Sequence, residues 1–92
     1  MKKYQSFKIV EAGKITEVSN LNPDTQMATV HVEGNAEGEI EHQLVSKEWL
    51  KKHTPVDQSL VGGYLVKYED GYTSWSPAEA FEGGYREVKS TE

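Results

Sequence analysis

The chain has 92 residues, no cysteine and a formal net charge of −5. A chain of that length makes a single domain, residues 1–92, with a small core. The lack of cysteine excludes a disulfide framework and a thiolate zinc site. The acidic balance argues against a general nucleic-acid binder, which needs a basic surface for the phosphate backbone. No apolar run approaches membrane-spanning length, so no membrane association is expected. The basic start at Met1-Lys2-Lys3 leads into a mixed polar stretch and not into the apolar segment of a signal peptide. Together these features predict a cytoplasmic protein.

In chain order, residues 4–18 hold two β-prone halves, 7–10 and 14–18. Gly13 lies between them as the bend of one long strand. Asn22-Pro23-Asp24 is a turn signal, with Pro23 pre-set for the first central position. Residues 27–34 alternate as a strand, with Ala28, Val30 and Val32 on one face and Thr29, His31 and Glu33 on the other. A polar loop follows at 34–38. Residues 39–45 alternate again, placing Ile40, His42 and Leu44 on an apolar face. The two runs read as an antiparallel hairpin over 27–45. Ser46 can cap a short helix over 47–53, with Trp49 and Leu50 facing inward. Lys51, Lys52 and His53 suit its negative C-terminal end, and Thr54-Pro55 stops it.

Residues 62–85 read GGYLVKYEDGYTSWSPAEAFEGGY and hold most of the aromatic side chains. Asp70-Gly71 between two β-prone runs predicts a two-residue type I′ hairpin turn. That turn pairs Tyr68 with Thr73 and Val66 with Trp75. Tyr64, Val66, Tyr68, Thr73 and Trp75 then share a core face, and Lys67, Glu69, Tyr72 and Ser74 share the wetter one. Ser76-Pro77 and Glu79 form a capping box that starts a short helix, which Gly83-Gly84 ends. Ala78 and Phe81 pin that helix to the sheet. Residues 85–88 form a last edge strand and residues 89–92 fray. The expected fold is α+β: an antiparallel sheet of about five strands, open to barrel-like curling, with two short helices.

The pattern Gly63-Tyr64, Val66, Tyr68, Asp70-Gly71-Tyr72, Ser74-Trp75-Ser76-Pro77 and Phe81 resembles the C-terminal signature of small proteins encoded by tailed bacteriophages and prophages. The opening, with Lys8-Ile9-Val10-Glu11-Ala12 and Lys14-Ile15, is similar to that of the same proteins but less specific. The resemblance is strong over about a quarter of the chain, and residues 19–38 have no counterpart. It implies a phage context, in a host cytoplasm, and assigns no catalytic residue.

The candidate sites are modest. His42, on its apolar face, reads as a hydrogen-bonded core or edge histidine ahead of a general base or ligand. The alternation separates His31 from His42, so no metal site is expected. Ser74 and Ser76 lack a nucleophile elbow and a placed base. The helix after Ser76 has its N-terminus already filled by a carboxylate. No catalytic residue and no cofactor are expected. Tyr72 stands apart as a large ring on the wetter face, a low-entropy anchor with Lys67, Glu69 and Ser74 around it. Packing against the 47–53 helix is the alternative use of that ring. The leading reading is a non-enzymatic binding module for a host or phage protein, with interference in host defence or regulation as one version. A small-ligand or nucleotide binder is a second reading. A virion or assembly component, self-associating as a dimer or through exposed sheet edges, is a third.

Overall fold

The computed structural model describes residues 1–5 and 9–87, with only the backbone of Ile9, Arg86 and Glu87. Among the described residues, seven strands and two helices follow one another: β1 Lys2–Gln5, β2 Ile9–Val18, β3 Met27–Glu33, β4 Ile40–Ser46, α1 Lys47–His53, β5 Tyr64–Lys67, β6 Thr73–Ser76, α2 Ala78–Gly84 and β7 Arg86–Glu87. The fold is α+β with antiparallel pairing throughout. The sheet carries two more strands than the reading of about five, and it does not close into a barrel. The strand that the sequence reading lacked is β1, folded back on β2, while β7 falls within the expected 85–88 edge strand. The expected strand residues 7–8, the last residue of the expected 85–88 strand and the fraying expected at 89–92 lie outside the described residues.

The long strand β2 organises the sheet. One edge pairs with β5, Glu11 opposite Lys67 through Lys14 opposite Tyr64. The other edge serves β1 first, Gln5 opposite Ile9 through Lys2 opposite Ala12, and then β3, from Ile15 opposite Val32. Gly13 sits at that changeover. A Cβ there would lie 2.8 Å from the Glu33 carbonyl oxygen and 2.9 Å from Val32 Cβ. Gly13 therefore permits a close approach of β3. The pairing irregularity in β2 falls further on, between Ile15 and Glu17.

Alternation along β2 sends its side chains to opposite faces, and each face has its own core. Ile15 joins Ala28, Val30, Val32, Val45, Leu60 and Leu65, with Trp49, Leu50 and Trp75 packed alongside. Val10 and Ala12 join Tyr64, Val66 and Phe81 on the other face. β5 is buried on both sides, as a continuous apolar Tyr64-Leu65-Val66 run allows.

Three local expectations change. First, Tyr64 pairs with Ser76, Leu65 with Trp75, Val66 with Ser74 and Lys67 with Thr73. This is one residue away from the predicted register. The Tyr68 amide donates to the Tyr72 carbonyl and the Gly71 amide to the Tyr68 carbonyl. The loop is thus Glu69, Asp70 and Gly71, and only Gly71 takes positive φ, at 90°. An Asp-Gly pair serves this three-residue loop with its glycine bulge as well as it serves a type I′ turn. Second, the N-cap of α2 is Pro77, with no side-chain cap bond. The Ser76 hydroxyl donates instead to the Pro77 carbonyl at 3.3 Å. Gly83 and Gly84 lie inside α2, and Tyr85 is its C-cap. Third, β4 turns Val45 inward and leaves Ile40, His42 and Leu44 outward. By contrast α1 starts as expected, with the Trp49 amide donating to Ser46 Oγ at 3.0 Å.

Candidate binding surface at the hairpin tip

The register decides which side chains meet at the tip of the β5–β6 hairpin. Residues opposite one another in a ladder share a face. Tyr68 and Tyr72 are therefore neighbours, and their rings stack with centroids 6.0 Å apart. Ser74 follows on the same face opposite Val66, and its hydroxyl donates to the Trp75 carbonyl at 3.4 Å. Lys67 lies on the other face, opposite Thr73 in β6 and Glu11 in β2. Glu69 is exposed in the turn. The four residues singled out from the sequence cluster at one end of the hairpin but do not share a face.

Tyr72 is 47% exposed. Helix α1 comes close without covering it. Lys52 Nζ stands 5.4 Å from the Tyr72 ring centroid, a cation–π contact. His53 lies edge-on at 6.3 Å and itself packs on Trp49 at 4.7 Å. The Trp49 indole N–H donates to the Thr73 carbonyl at 3.1 Å, tying α1 to β6. The tip is thus a set of rings, Trp49, His53, Tyr72 and Tyr68, with a lysine over it. Partial burial lowers the His53 pKa, and the Lys52 charge lowers it further. Burial raises the Tyr68 phenol pKa, with Tyr85 and Tyr72 adding to the shift. Beside Tyr68, Lys3, Val10, Glu11, Lys67 and Glu69 line a shallow groove of about 420 Å³.

The structure also brings together two residues that the alternation had kept apart. His31 and His42 are direct partners in the β3–β4 ladder, with ring centroids 4.5 Å apart. Both point away from the core because β3 buries Ala28, Val30 and Val32. The error lay in assigning Ile40 and Leu44 to the core. They are 45% and 69% exposed and flank the pair on the outer face. The signal that could have corrected it is Val45, whose inward position opposite Ala28 fixes the parity of β4.

The class defined by this geometry is a small antiparallel α+β fold with two cores and an exposed aromatic hairpin tip. No protein-family model and no curated protein matches the chain. Among solved structures, the chain is similar to the monomeric form of the phage L decoration protein, determined in solution by NMR. The TM-score is 0.61 with 24% identity over 90% of this chain. The chain spans 56% of that protein's length. The likeness is one of fold.

Proposed function

We propose that the chain is a non-enzymatic component of a phage particle or of its assembly, binding a protein surface of that particle. The observation that carries this reading is the fold shared with a phage decoration protein over 90% of the chain. The phage-like signature of residues 63–81 supports it independently. The partner is then a phage structural protein in preference to a host defence or regulatory protein. The Tyr72 tip, with Lys52 over its ring, Tyr68 and Ser74 on its face, Glu69 in the turn and Lys67 on the opposite face, offers the anchor: a half-exposed ring with an apolar body and a polar end.

The test is sedimentation. Purified chain is added to particles of the phage or prophage that encodes it, prepared without the chain, and the pellet is analysed by mass spectrometry. The chain is expected in the pellet at saturable stoichiometry. Tyr72→Ala should weaken binding by about 2 kcal/mol, some thirtyfold, while the melting temperature holds. A chain that stays in the supernatant and is captured by a host protein would overturn the virion reading in favour of the host-directed one. Pellet binding indifferent to Tyr72 and Lys67 would move the surface elsewhere.

A further inference from the structure

The β3–β4 ladder holds a pair of imidazoles in register. The Gly34 amide donates to the Glu39 carbonyl, and antiparallel pairs alternate between bonded and non-bonded from there. With Glu33 opposite Ile40 and Val32 opposite Glu41, His31 and His42 fall at a non-hydrogen-bonded pair. That is where facing side chains come closest. Their centroids are 4.5 Å apart and the rings are tilted by 59°. His42 is exposed and His31 half-buried.

We propose that His31 and His42 form a two-imidazole clamp for a borderline divalent transition ion of the Cu²⁺, Ni²⁺ and Zn²⁺ class. The spacing carries the argument. A metal–nitrogen bond of about 2.0–2.1 Å, with the ring centroid about 1.1 Å behind the nitrogen, puts two centroids about 4.5 Å apart at a right angle and about 5.2 Å apart at a tetrahedral one. The pair already stands near these values on two adjacent strands, so the backbone spacing suits two imidazoles on one ion. Imidazole is a preferred ligand for this class of ion, whereas magnesium and calcium select oxygen donors. Glu17 on β2 is in register with His31 and exposed. Among the described residues, however, no three histidine, aspartate or glutamate side chains stand at metal-binding distance. The clamp is therefore two-coordinate from the protein, with its other positions open to water. It lies on the outer face of β3–β4, away from the Tyr72 tip, and does not depend on the proposed function.

The experiment titrates untagged protein with zinc chloride at neutral pH, following the histidine ring resonances by NMR and the melting temperature. His31→Gln, His42→Gln and, as control, His53→Gln are run in parallel. Wild type and His53→Gln are expected to show saturable shifts of two histidines and a rise of several degrees in melting temperature. Each of the other two variants should lose at least tenfold in affinity, because one imidazole cannot chelate. His42→Gln should melt close to wild type without metal, since His42 is exposed, and the metal response of each variant is read against its own metal-free melting temperature. Equal zinc responses in wild type and His31→Gln would overturn the clamp. So would no response at millimolar zinc, or shifts centred on His53.

Discussion

Phe81 is 1% exposed and sits among three tyrosines. Tyr64 stacks on it at 4.4 Å, Tyr85 at 4.6 Å, and Tyr4 meets it edge-on at 4.7 Å. Cutting that ring back to a methyl leaves a cavity that the surrounding rings cannot fill. Phe81→Ala should therefore cost about 3–5 kcal/mol in urea denaturation. The Tyr64 hydroxyl donates to Glu82 at 2.7 Å and so helps hold α2 over this second core. Its pKa is raised, by burial first and by that hydrogen bond next. His53 gives the residue-scale pH prediction. Its folded pKa lies below the ordinary 6.5, so the unfolded chain takes up the proton first. Its contribution to stability is intact above the unfolded value and is lost as pH falls through the window below it. The fall in denaturation midpoint between pH 7.5 and pH 5.5 should be smaller in His53→Asn than in wild type. A fall of the same size would show that Trp49, Lys52 and Tyr72 leave this imidazole free to ionise.

The elements differ in how far local chemistry governs them. Ser46 caps α1 with its own hydroxyl, so Ser46→Ala should lower stability by about 1 kcal/mol. Ser76→Ala should lower it less, because α2 has no side-chain cap to lose. Equilibrium denaturation of the two variants side by side decides this. The same contrast marks what could be read in the sequence. Strands β3 and β4, helix α1 and a hairpin around Asp70-Gly71 were legible, since each rests on alternation, a cap or turn chemistry. The register of β5 on β6 was not, because the turn residues suit two loop lengths and both faces of β5 are apolar. Only the core that receives Leu65 and Trp75 on one side, and Tyr64 and Val66 on the other, selects between them. The parity of β4 failed for the opposite reason: it carries large apolar residues on its outer face. As a result Tyr72 is found exposed, but beside Tyr68 and Ser74 and across the sheet from Lys67. The histidine pair was invisible until β3 fixed which way β4 faced.

At the scale of the whole molecule, an antiparallel α+β sheet with two short helices was evident from the order of strand and helix signals. The two-core arrangement was not, because it depends on β2 serving three partners. Gly13 is the position where that arrangement is tightest. Gly13→Val would push a branched side chain against Val32 and the Glu33 carbonyl. It should cost about 1–3 kcal/mol, as overpacked sites do, with far-UV circular dichroism otherwise unchanged. The same crossing has a consequence for how quickly the chain folds. β3–β4 and β5–β6 join neighbours in the sequence, whereas β2 must bring Glu11 to Lys67 across more than half of the chain. Loop closure of that span comes before any contact rewards it. The two hairpins should form early, and the docking of β2 against both should set the barrier. On that account Gly13→Val acts on the refolding limb of a stopped-flow chevron more than on the unfolding limb.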